Sequence, residues 1–226
     1  CSAVLSMEAT AVISMTMYRI GSGGTHLPDI NLAMPVFVDD KLSAFVCNIA
    51  HHADVGGMAP GSMAGGMSEI YQEGLRIPVV KLFRRGELQE DLFEILLLNV
   101  RIPEERRGDY YAQIAACRLG RRRLLEAAET YSMDMLQAAF GEIIERTERR
   151  MREGVAQIPD GTYHFEDVMD DDGLGTLDIP IKVKIDVAGD RIHFDFTGTS
   201  PQVAGNINVT LNATQASVAY CLKALL

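Results

Sequence analysis

Two apolar-rich runs, NLAMPVFV (31–38) and KLSAFVCNIA (41–50), stand on either side of the pair Asp39–Asp40. Strand-like runs of this length, parted by two turn-forming residues, predict an antiparallel β-hairpin. LRIPVVKLF (75–83) reads as a further short strand. From residue 108 the period becomes helical. Ile114, Cys117, Leu124 and Leu125 share one face of a first helix. Leu136, Phe140, Ile143, Ile144 and Met151 form the inward face of a second, with Ser132 as its N-cap and Asp134 in its first turn. Together they predict a helical hairpin over about residues 108–155. Strict alternation returns at IPIKVKIDV (179–187), turns at AGD, and comes back as RIHFDFTGT with Ile192, Phe194 and Phe196 on one face. His193 and His164 fall on the solvent side.

The expected fold is therefore α+β, a largely antiparallel sheet with a helical hairpin. Along the chain this gives a loop-rich site region with a hairpin (1–107), the helical hairpin (108–155), and a β-hairpin region with the start of a helix (156–226). The 226 residues suffice for a sizeable core. Position 1 is Cys, and ASVAYCLKALL breaks off inside an apolar helical pattern without a cap, so the chain reads as a fragment of a longer one.

Composition removes several function classes. The formal charge of −10 argues against a nucleic-acid surface, which needs clustered Lys and Arg. The basic clusters RLGRRR and ERTERRMR lie in helical, Glu-containing sequence and read as solvated helix faces. No apolar run is long enough for a membrane span, and no signal peptide precedes Cys1, which points to the cytoplasm. Cys1, Cys47, Cys117 and Cys221 form no CxxC pair and read as free thiols.

The candidate chemistry lies where the first hairpin ends. In AHHADVGG, His51 and Asp54 are three residues apart, and His26 and Asp29 repeat that spacing in GGTHLPD. An imidazole and a carboxylate so placed suit Zn²⁺, Mn²⁺ or Fe²⁺ better than Ca²⁺. The bland reading is a loop whose His and Asp satisfy backbone groups. The segment 56–74 holds six glycines, and is either mobile or shaped around a ligand. EDVMDDDGLG lacks EF-hand spacing and reads as a solvated turn. No phosphate-binding loop follows either glycine cluster, and Ser62 has no assignable base.

The motifs GGTHLPDI, HHADVGG–PGSM, EIYQEGLRIPVVKL, DGTYHFEDVMDDDGLG and DFTGTSPQ occur in this order, and together they resemble the hydantoinase B family. The resemblance covers about residues 21–226. It implies a B-type subunit of an ATP-dependent hydantoinase, N-methylhydantoinase or 5-oxoprolinase, related to one subunit of acetone carboxylase. On that pattern an A-type partner uses ATP and Mg²⁺ to phosphorylate the carbonyl of a small cyclic amide, and the B-type subunit opens the ring at a metal site. His51 and Asp54 match two metal ligands of the family. His26, Asp29 and His52 are the remaining candidate site groups, His26 and His52 as supporting or substitute ligands. A further ligand position of some relatives, the His of EG-x-H-I-P, is here Arg76, which cannot ligate a cation and is assigned instead to an anionic part of the substrate. The alternatives are a subunit of a ketone carboxylase and a non-catalytic assembly subunit; a hetero-oligomer is implied throughout.

Overall fold

The computed structural model describes Val12–Ile13 and residues 26–226. The glycine-rich stretch 21–25, Cys1 and the remainder of residues 1–20 lie outside the described residues. The elements in chain order are β1 (Val12–Ile13), β2 (Asp29–Val38), β3 (Lys41–His51), β4 (Val80–Lys81), β5 (Phe83–Arg84), β6 (Glu87–Leu88), α1 (Glu90–Leu98), α2 (Pro103–Tyr131), α3 (Met133–Val155), β7 (Gly161–Asp171), β8 (Leu177–Ala188), β9 (Arg191–Asp195) and α4 (Leu211–Leu225). The fold is α+β with antiparallel sheets, as the pattern predicts. The chain divides into two units, 1–64 with 69–136 and 65–68 with 137–226. Among the described residues no helix is long and apolar enough to cross a membrane.

In the first unit a four-stranded sheet has the order β3-β2-β1-β4. Asp39 and Asp40 both take positive φ, 49° and 58°, the backbone of a type I′ turn, whose twist matches that of the strands it joins. Next to it Val36 pairs with Ala44 and Phe37 with Leu42, which leaves Ser43 unmatched as a β-bulge. From the bulge onward the ladder runs without interruption to Asp29 opposite His51. Alternation sends Ile30, Leu32 and Met34 inward, where they pack with Phe93, Leu96 and Leu97 of α1 and Tyr110, Ile114 and Cys117 of α2. Cys47, Cys117 and Cys221 are free thiols, and burial pushes that of Cys117 up.

Helix runs from residue 103 to 155 with one break, at Ser132, whose φ is +65°. Its Oγ accepts the N–H of Met135, the expected N-cap role. The inward face expected on α3 is covered only in part, Leu136 and Met151 being half-buried. Phe140, Ile143 and Ile144 keep 43%, 61% and 68% of their surface exposed. The amphipathic period is present, but a period tells which side is apolar and not what lies against it.

In the second unit β7, β8 and β9 form an antiparallel sheet with the β8–β9 turn at the predicted AGD, and His164 and His193 are exposed as expected. Asp172 departs from the solvated turn read in the acidic run, because it is buried. Its carboxylate accepts the N–H groups of Leu174 and Thr176, both at 2.9 Å, and of Gly205 at 3.2 Å. The bond from the Leu174 N–H, helped by the others against the cost of burial, pulls its pKa down to about 2.

Candidate metal centre

The LPD segment turns tightly, with the Asp29 N–H donating to the His26 carbonyl at 3.3 Å. The Leu27 N–H donates to Glu73 Oε2, which holds the turn from outside. This geometry brings His26 Nε2 to 3.4 Å from Asp29 Oδ1. The β2–β3 register supplies the third group: His51, directly opposite Asp29, sets its Nδ1 3.0 Å from the same oxygen. The two imidazoles approach to 2.8 Å between His26 Nε2 and His51 Nδ1. Asp29 is 20% exposed, His26 30% and His51 49%, so the cluster opens to solvent on the His51 side.

Two imidazole nitrogens and one carboxylate oxygen thus meet within 2.8–3.4 Å of each other. Donors each about 2.0–2.1 Å from a shared ion, at octahedral or tetrahedral angles, stand roughly 2.9–3.4 Å apart. The spacing and the donor types both fit a divalent transition metal with open positions for water.

Asp54 does not join them. Its Oδ2 accepts from an Arg101 guanidinium nitrogen at 2.6 Å and from the Gly61 N–H at 3.3 Å. Its Oδ1 accepts the N–H groups of Gly56 at 2.8 Å and Arg101 at 3.3 Å. Burial alone would raise this carboxyl's pKa, but the bonds from Arg101 and the backbone outweigh it and hold the pKa below the ordinary value. The expected pairing of His51 with Asp54 is therefore corrected to His51 with Asp29 and His26. The chain leaves β3 at His51, so the three-residue spacing that would converge on a helix instead carries Asp54 into the buried side of the loop.

Arg101 is the residue the sequence reading misses. Besides Asp54 it donates to the carbonyls of Gly57 at 2.9 Å and Ala59 at 3.3 Å, so one guanidinium ties three points of the glycine loop. Ser62, fully buried, does the same from within, its Oγ accepting the N–H groups of Val55 and Gly57. A Cβ on Gly57 would stand 2.6 Å from the Glu73 carbonyl oxygen. These contacts tie the start of the 56–74 segment to its neighbours.

His52 points away from the cluster. It is buried, its ring lies 4.6 Å from that of Tyr110, and its Nε2 pairs with Gln113 Oε1 at 2.9 Å. Desolvation lowers its pKa. It braces the end of β3 and does not join the three clustered groups. Arg76 is exposed and lies over the Tyr71 ring, 3.9 Å from its centroid.

A family model described as hydantoinase B/oxoprolinase matches residues 14–226. The chain is 36% identical over 230 residues to 5-oxoprolinase 1 of Arabidopsis thaliana, a match covering 90% of this chain and 18% of that protein. The crystal structure of ATP-dependent caprolactamase from Pseudomonas jessenii superposes with a TM-score of 0.83 at 30% identity, over 96% of this chain and 37% of that one. A nucleotide-free structure of acetone carboxylase shares the fold, with a TM-score of 0.71 at 21% identity over 87% of this chain and 27% of that one. The chain thus spans well under half the length of each of these relatives.

Proposed function

This chain belongs to the hydantoinase B/oxoprolinase family, and we propose that it acts in the B-type subunit of an ATP-dependent cyclic-amide hydrolase, at a divalent transition metal held by His26, Asp29 and His51. The observation that carries the reading is the meeting of these three donors in a chain of this family. Zn²⁺, Mn²⁺ and Fe²⁺ are the ions that suit two imidazoles and a carboxylate. When bound, such an ion brings the pKa of its water toward neutrality.

The chain's own groups do the rest. Asp29 Oδ1 reaches both imidazoles and orients them toward one point. His51, half exposed, leaves the cluster open to solvent on that side. Arg76, a fixed positive charge, meets an anionic part of the substrate or the transferred phosphate. Nucleotide chemistry belongs to a partner, an A-type subunit using ATP and Mg²⁺ to phosphorylate the amide carbonyl, within a cytoplasmic hetero-oligomer. That division makes chemical sense, because an unstrained amide is a poor electrophile and its O-phosphorylated form is a good one.

The test is to co-express the full-length protein with its neighbouring ATP-using subunit and measure bound metal and products. A stoichiometric transition metal, lost in His51→Ala and His26→Ala, together with ATP-dependent formation of ring-opened acid, is expected. Metal-free protein with full activity would overturn the metal centre, and a requirement for bicarbonate would replace the hydrolase by a ketone carboxylase.

A further inference from the structure

We propose that Gln113 is a positioning residue for the His26–Asp29–His51 cluster, acting from the opposite face of the β2–β3 hairpin; this rests on the metal-centre reading above. Gln113 is buried on α2. Its Nε2 donates to the Ile30 carbonyl at 2.9 Å and to Asn48 Oδ1 at 3.1 Å. Its Oε1 meets His52 Nε2 at 2.9 Å, and its own backbone carbonyl accepts from Asn48 Nδ2 at 2.8 Å.

The location of these bonds gives them their meaning. Ile30 directly follows Asp29, and His52 directly follows His51. Neighbouring residues of a strand face opposite sides, and Ile30 and His52 are both buried, at 0% and 2% exposure. One side-chain amide therefore grips the inner side of both strands at the point where Asp29 and His51 leave the outer side. The bonds also fix the amide's own orientation. Its two N–H groups are taken by the oxygens of Ile30 and Asn48, so the oxygen must face His52, and His52 must carry its proton on Nε2.

The amide is thus specified from three directions, and it in turn locks the strand ends that carry two of the three donors. Ligand atoms hold an ion well only when placed to within about 0.5 Å. The inner anchors thus sit on the residues next in sequence to each of those two donors.

The experiment titrates Co²⁺ into full-length native protein, Gln113→Leu and Ile114→Ala, following the cobalt absorption bands and the melting temperature. Ile114 is the next residue of α2, buried in the same core, and serves as the control for plain destabilisation. Gln113→Leu is expected to bind Co²⁺ about 10–100-fold more weakly. Ile114→Ala is expected to melt at least as early and yet bind with native affinity. Native-like binding by Gln113→Leu, or equal weakening in Ile114→Ala, overturns the proposal. Should Gln113→Leu fail to fold, Gln113→Glu keeps the acceptor for His52, removes both donors, and gives the same reading. Absence of Co²⁺ binding in the native protein would overturn the metal centre itself. The positioning role is then decided by crystallography of the variant: loss of the 3.0 Å His51–Asp29 contact supports it, and its retention sinks it.

Discussion

The Asp54 carboxylate and the Arg101 guanidinium close to 2.6 Å, and this ion pair keeps Asp54 out of the cluster that His51 joins. The two residues are 47 positions apart, and together they pin the loop that follows β3. The loop is thereby tied down beside the three clustered side chains without adding a group to them.

Metal content separates the two carboxylates. Asp29→Ala should lose the bound transition metal, whereas Asp54→Asn should keep it, because only Asp29 contacts the imidazoles. Elemental analysis of both purified variants decides the matter, and the reverse pattern would restore Asp54 as ligand.

Arg101→Ala should lower stability by about 1–2 kcal/mol, the range for a charged hydrogen bond reduced for the exposed flank of the guanidinium. Amide exchange should quicken at Gly56 and Gly61, which donate to the same Asp54 carboxylate. Urea unfolding and hydrogen exchange report the two effects, and a silent substitution would show that the loop stands without the pair.

Acid should weaken the protein through two aspartates. Asp54 is held below the ordinary 3.8 and Asp172 is pulled to about 2, so in both cases folding favours the deprotonated form. Their contribution is fully present above about pH 5 and fades as pH falls from there toward 2. Melting curves across that range should steepen on the acid side, and Asp172→Asn should flatten part of the slope. An unchanged slope in that variant would rule out Asp172 as a source.

Gly57→Ala should destabilise by about 1–3 kcal/mol, the usual cost of overfilling a packed site, since the added carbon meets the Glu73 carbonyl. Thermal unfolding measures it. Wild-type stability would mean that the 56–74 segment yields easily.

Much of the architecture is written locally and could be read. The β2–β3 hairpin announces itself by its flanking apolar runs and the Asp39–Asp40 turn, and His26 and Asp29 share one short turn. The complete cluster could not be read from spacing, because His51 meets Asp29 through a strand register set across 22 residues. For the same reason spacing pairs Asp54 with His51 and not with Arg101: the first separation is visible, while Arg101 is remote and carries no local signal. Gln113 was equally hidden, an ordinary polar residue on a helix until α2 lies against β2 and β3. On α3 periodicity identifies the apolar side but not its exposure, since it contains no information about neighbours.

The unmatched Ser43 sets the two ends of the hairpin apart. Its deletion would join Leu42 to Ala44, whose partners Phe37 and Val36 are already neighbours, so the bulge would vanish and Asp29 would still face His51. A residue deleted from β2 beyond the bulge, such as Ala33, would instead carry Asp29 one step along the ladder to face Ala50. The cluster is thus indifferent to a loss at the tip of the hairpin and exposed to one along the strand that leads to it.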